Sequence, residues 1–189
     1  VGDVSTPDYD RPSTWDDEDG DCISDRHEVL IAQHLDGDDA YPLVMSTDGC
    51  AVETGRWLDP YDNIYYYAAS NVQIDHVVAL YESWVSGLGN LISSLQRRYA
   101  NTGSLTEGVL PETSHNFLAV GASSNGEKGG SDPREWMPRN EAYHCTYLKK
   151  WVLTKSQNEL LFDQAEFDFI QAREVDCGDE PLPELPANP

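Results

Sequence analysis

The sequence predicts an α+β fold built as a single domain. Two runs rich in aromatic and β-branched residues, 63–69 and 72–78, have the composition of strands. Segments with helical spacing lie on both sides of them. A chain of 189 residues is long enough for one sizeable core, and it contains no internal repeat.

Residues 1–19 are rich in Asp, Pro, Ser and Thr and read as irregular chain wrapping the surface. Residues 24–35 place Val29, Leu30, Ala32 and Leu35 at helical spacing. Residues 50–58 read as a hairpin turning at Thr54-Gly55, and residues 63–69 and 72–78 follow as strands. Residues 80–85 and 90–99 read as helices, and 116–120 as a strand with a helical turn after it near Asn125. Residues 140–155 form a helix with a mixed face. Asp163 and Glu166 have capping-box spacing and open a helix running to about Arg173. Residues 181–189 hold four Pro and read as a disordered tail, so the domain is expected over 1–180.

No apolar run approaches the roughly 18 residues needed to span a bilayer. The chain starts at Val1 without a charged-then-apolar leader, which reads as the mature form of a secreted protein. Four Cys without a Cys-x-x-Cys pair suggest two disulfides rather than a zinc knuckle, against the alternative of buried free thiols. Four Cys allow three connectivities; sequence order favours Cys22–Cys50 and Cys145–Cys177.

The net charge of −22 argues at first sight against a nucleic-acid partner. The charge is unevenly spread. Residues 75–157 hold eight basic and eight acidic residues, and the remaining 26 acidic and four basic residues carry the whole excess. The plain reading is that acid solvates the two ends; the sharper one is that the middle is relieved of acid to meet phosphate.

The middle stretch also carries the residues with the clearest chemistry. Asp75-His76 sits on a short apolar run, and Asn125 and Lys128 lie in the later Ser123-Ser124-Asn125-Gly126-Glu127-Lys128-Gly129. A carboxylate beside a histidine, with a neutral oxygen ligand and a cation further on, supplies the parts for metal-assisted phosphodiester cleavage. Around them stand Tyr9-Asp10-Arg11 with Trp15, Cys22 to Leu30 with Arg26, Cys50 to Trp57, Asp59-Pro60-Tyr61-Asp62, Asp132 to Pro138, and Cys145 to Trp151. This ordered set resembles the HNH, or ββα-metal, endonucleases, and most closely the secreted bacterial and fungal DNases of that superfamily. Ala79 and Gly130 depart from it, where a Pro and an Asp are common, and residues 101–113 are longer than the pattern.

The resemblance implies an HNH core over about 72–157, with added helices and an N-terminal hairpin and helix layer. It implies a monomeric, secreted endonuclease that cuts DNA with little sequence specificity and leaves 5′-phosphate and 3′-hydroxyl ends. Double-stranded DNA is the expected partner, with single strands and RNA left open. His76 is the implied general base, and Asp75 and Asn125 the implied ligands of one catalytic divalent cation (Mg, Mn or Zn). Asn116 would buttress the histidine loop, Lys128 would touch phosphate, and Arg26 and Arg98 are further candidate phosphate contacts. His115 is a candidate accessory ligand, and Glu82 a candidate partner behind the site. Each has a plainer structural role open to it: a strand histidine, a turn-capping Asn, a solvated Lys.

A second acidic pattern lies upstream. Asp17, Asp19, Asp21, Asp25 and Glu28 fall at positions 1, 3, 5, 9 and 12, the spacing of an EF-hand-like calcium loop, although the Gly stands at position 4 rather than 6. A structural calcium there supports a competing reading of the chain, a non-catalytic extracellular calcium-binding interaction module. The plainer alternative is an acidic loop serving the first turn of the next helix.

Overall fold

A computed structural model describes residues 9, 11, 15–178, 182, 183 and 185 of the chain. In order, the regular elements are α1 (Asp25–Ala32), β1 (Val44–Met45), β2 (Val52–Asp59), β3 (Ile64–Ala68), β4 (Val72–His76), α2 (Leu80–Val85), α3 (Ser93–Thr102), β5 (Phe117–Gly121), α4 (Ala122–Lys128), α5 (His144–Gln157) and α6 (Gln164–Glu174). The fold is α+β, and both disulfides form as Cys22–Cys50 and Cys145–Cys177.

Two sheets are present among the described residues. One is the antiparallel set β1-β2-β3, and the other is the antiparallel ribbon β4-β5. In the ribbon Asp75 lies opposite Leu118 and His76 opposite Phe117. Successive strand residues point to opposite faces, so the ribbon divides the core in two. Val72, Ile74, Phe117 and Ala119 pack with Val29 and Leu30 of α1 and with Val52 and Trp57 of β2. Leu118 and Val120 pack on the other side with Tyr99, Tyr147, Leu148 and Trp151. Burial on both faces explains why 117–121 reads as an unbroken apolar run rather than an alternating one.

The outer edge of β5 is closed by side chains. Gln33, just past α1, donates to the Phe117 carbonyl (3.0 Å) and accepts from the Ala119 amide (2.8 Å). Asp59, buried at the end of β2, accepts from the Gly121 amide (2.9 Å) and the Ser124 hydroxyl (2.5 Å). This carboxylate sits at the start of α4, where the first amides lack intrahelical partners. Burial raises its pKa, and the Ser124 and backbone hydrogen bonds oppose that rise. No side chain fits at Gly121 without displacing Tyr66, whose hydroxyl would lie 2.2 Å from a Cβ there.

Several expectations need correction. Residues 50–58 do not form a hairpin about Gly55; β2 continues through it with a shift of register between Thr54 and Trp57, and the turn falls between Asp59 and Ile64. The tail is not free where it is described: Leu182 is buried in the core, and Leu185 packs against it. The other tail residues, and most of 1–14, lie outside the described residues. The capping box at Asp163 is present in both directions, and its helix extends to Glu174.

Candidate functional site

His76 ends β4, and three residues fix its surroundings. Val77 donates its amide to the Asn116 carbonyl (2.7 Å), and Val78 donates to Asn116 Oδ1 (2.8 Å). Asn116 Nδ2 donates to the Tyr99 hydroxyl (3.0 Å), which also accepts from Ser83 (2.7 Å). Asn116 is wholly buried, so it fastens the chain after His76 to the start of β5 and touches nothing in solvent.

The His76 ring donates from Nε2 to the Ala100 carbonyl (2.9 Å). Ala100 lies in the last turn of α3, where carbonyls have no amide four residues on. A carbonyl can only accept, so Nε2 carries the hydrogen and Nδ1 keeps its lone pair. Trp15 stacks on the ring at 5.9 Å between centroids, and Phe117 meets it edge-on at 4.8 Å. Burial pushes the His76 pKa down to about 3; the Ala100 hydrogen bond opposes this, and the charges of Lys128 and Arg11 add to it. The ring is therefore neutral above mildly acidic pH.

Asp75 faces the other side of the ribbon. Its Oδ1 accepts from Lys128 Nζ (2.9 Å) and its Oδ2 from the Tyr61 hydroxyl (2.6 Å). Burial raises its pKa, and Lys128 and Tyr61 pull the other way. Lys128 donates again to the His76 carbonyl (2.7 Å). Asn125, one turn earlier on α4, donates Nδ2 to Gln73 Oε1 (2.8 Å), which leaves its side-chain carbonyl oxygen without a hydrogen bond among the described residues.

These elements enclose a cleft of about 550 Å³ along the open edge of β4. Gln73, Asp75 and His76 line it from the strand, Asn125 from α4, and Arg11 and Trp15 from the N-terminal segment. Asp75, His76 and Asn125 thus share one cleft.

Of the other assigned residues, Arg26 alone joins them in lining the cleft. Lys128 is wholly buried with its ammonium engaged by Asp75 and His76, so it orients the site and cannot reach a phosphate. Arg98 hydrogen-bonds the Leu105 carbonyl (3.5 Å) and does not line the cleft. Arg26 does line it, but its guanidinium holds the Ala69 and Val72 carbonyls (both 2.9 Å). His115 lines a separate cleft beside Asn158. Glu82 pairs with Lys155 (2.7 Å) and not with His76. Other basic residues of the middle stretch are engaged by partners: Arg97 is bound to Asp16, Arg139 to Glu127, and Lys150 donates to the His115 carbonyl. Sequence reasoning gave no role to Arg11, Trp15 or Tyr61. Each belongs to a motif that carries the resemblance, which was the available signal.

No protein-family model matches the chain, and no solved structure matches it. The chain is similar to an uncharacterized secreted protein of Arthroderma benhamiae, with 36% identity over 123 residues. That match covers 65% of the chain and 56% of the relative, so the chain spans little more than half of the relative's length. Two closed disulfides and this similarity fit an extracellular location.

Proposed function

We propose that the cleft hydrolyses DNA phosphodiester bonds with the help of one divalent cation, in the manner of the HNH endonucleases that the sequence resembles. One observation carries this reading: a neutral histidine with a free Nδ1, a carboxylate and an amide oxygen line the same cleft, on a strand–strand–helix unit.

The donor chemistry fits such a cation. Asp75 and Asn125 offer hard oxygen atoms, which suit Mg²⁺ or Mn²⁺ better than Zn²⁺. Asp75 shares its charge with Lys128, so affinity in the absence of substrate is expected to be weak. The bound cation would neutralise charge developing on the phosphate and the leaving oxygen.

The chain's own residues do the rest. His76 Nδ1 takes a proton from the attacking water, while Ala100 fixes the ring through Nε2. Trp15 covers one face of the ring and limits its rotation. Arg11 gives the cleft a positive charge for a neighbouring phosphate. With −22 over the whole chain, attraction to DNA is local rather than long-range, because salt screens charge beyond about 8–10 Å.

Supercoiled plasmid incubated with the full chain tests the reading. Nicking in Mg²⁺ or Mn²⁺, abolished by EDTA and reduced roughly 10²–10⁴-fold in His76→Ala, is the expected result. An inactive parent, or a folded His76→Ala chain that nicks normally, rejects it.

A further inference from the structure

The acidic loop upstream of α1 has no part in the cleft chemistry. Asp17, Asp19 and Asp21 each place a carboxylate oxygen within 4.8 Å of the others; all three are exposed, and each accepts from backbone amides of the loop itself. On its own such a triad signifies little. A second feature lies behind it. Asp25 is 1% exposed, and its carboxylate turns back to the loop, where Oδ1 meets the Glu18 amide (3.4 Å). Its Oδ2 is buried without any hydrogen-bond partner, and so is Oε2 of Glu112, on the turn Pro111–Thr113 that packs on α1. Glu28 completes the group and feels the charges of Glu112, Asp25, Asp19 and Asp21.

Buried carboxylate oxygens without partners are costly, and native proteins satisfy nearly all of them. None of these six carboxylates forms an ion pair among the described residues. Arg26, their neighbour in sequence, is turned away to Ala69 and Val72. Asp25 Oδ2 and Glu112 Oε2 are the two oxygens of the group that are buried without a hydrogen bond, and a cation would supply the positive partner that the whole group lacks.

We propose that Asp17, Asp19 and Asp21, which already stand at ligand distance from one another, hold one calcium-like divalent cation, and that Asp25, Glu28 and Glu112, close enough to feel the same charges, are drawn onto it when it binds, which fastens the loop to α1 and to the 111–113 turn. Calcium suits it better than magnesium, because Ca²⁺ accepts six to eight oxygens in flexible geometry. The loop also resolves the misplaced glycine of the sequence pattern. Position 6 is Cys22, and it takes the left-handed conformation that the position requires (φ 78°). Its amide donates to Asp17 Oδ2 (3.0 Å). The site bears on the cleft through the preceding residues. Asp16 is clamped by Arg97 and Asn101, and Trp15 stacks on His76, so a cation at the loop restrains the segment that covers the catalytic ring.

This proposal holds whether or not the cleft cuts DNA, and its test uses no activity. The full chain is stripped with chelator and titrated with Ca²⁺ and, separately, Mg²⁺ while its melting temperature is followed. Tb³⁺ luminescence excited through tryptophan reports occupancy beside Trp15. A saturable rise in melting temperature is expected, with a Kd of roughly 10⁻⁴–10⁻³ M for Ca²⁺ and weaker binding of Mg²⁺. A Tb³⁺ signal displaced by Ca²⁺ is expected beside it. Asp19→Asn with Asp21→Asn, both exposed and safe for folding, should abolish both signals, and Asp168→Asn on α6 should leave them intact. Glu112→Gln should weaken Ca²⁺ binding at least tenfold. No calcium-dependent shift and no Tb³⁺ signal, or equal signals in the loop variant, overturns the site. Unchanged affinity in Glu112→Gln overturns its closure across to the 111–113 turn.

Discussion

Lys128 and Asp75 form an ion pair of 2.9 Å in which the lysine side chain exposes nothing and the aspartate almost nothing. It locks α4 against β4 and so sets how Asn125 stands relative to His76. The pair lacks the solvent that makes surface salt bridges weak, and removal of one partner strands a buried charge.

Lys128→Met should therefore destabilise the chain by about 3–5 kcal/mol in denaturant unfolding. Asp75→Asn combined with Lys128→Met should recover part of the loss, since the stranded carboxylate is gone. A Lys128→Met chain within about 1 kcal/mol of the parent would show that the pair does not hold α4 in place.

Asn116 acts through backbone. Asn116→Ala removes two buried hydrogen bonds, at about 1–3 kcal/mol for each group left unsatisfied. Cleavage should fall with little change in DNA affinity, because the residue never meets the cleft. An equal loss of both, measured by binding and nicking in parallel, would contradict a positioning role.

Arg11 replaces Lys128 and Arg98 as the residue expected to meet phosphate. Arg11→Ala should weaken DNA binding and lower its salt dependence by about 0.9 in the slope of log affinity against log salt, the value for one phosphate contact. Arg98→Ala should leave the slope unchanged. The reverse pattern would move the DNA path away from the cleft.

Two buried groups predict opposite trends with pH. The folded pKa of His76, about 3, lies below its ordinary value of 6.5, so its contribution is complete above 6.5 and is lost as pH falls towards 3. The slope is at most about 1.4 kcal/mol per pH unit. Thermal unfolding of His76→Gln should lose less stability than the parent over that window. Glu166 goes the other way. Burial pushes it up to about 7 from 4.5; Lys155 at 2.7 Å opposes the rise, and the charge of Glu82 adds to it. Its contribution is complete below 4.5 and is lost as pH rises towards 7, so Glu166→Gln should gain on the parent across that range. Parallel curves for a variant and the parent would refute the corresponding assignment.

Much of the fold was legible because it rests on local rules. The doubly buried β5 shows as an apolar run, and the α6 capping box shows as Asp163 and Glu166. What failed depends on tertiary contact. Gly55 looks like a turn residue, yet it sits mid-strand because the Trp57 and His34 rings lie over it; a Cβ there would be 2.7 Å from Trp57. The tail was read from its prolines, while Leu182 is what docks it. That Asp75, His76 and Asn125 would come together in one cleft was expected from residue type, order and the resemblance. The burial of Lys128 was not, since nothing in a seven-residue helix says which face turns inward. Arg11 and Trp15 reach the cleft only through the path of the N-terminal chain.

The two disulfides close loops of sequence separation 28 and 32, one before and one after the β4-β5 ribbon in sequence, and neither spans it. Each restricts its own part of the unfolded chain, by roughly 3–4 kcal/mol in the loop-entropy account. The strand pairing that aligns His76 with Phe117 gains no covalent help and must be found by diffusion of distant segments, a slow class of event in folding. The arrangement that brings Asp75 and His76 into the cleft therefore depends for its assembly on noncovalent contacts that neither crosslink enforces.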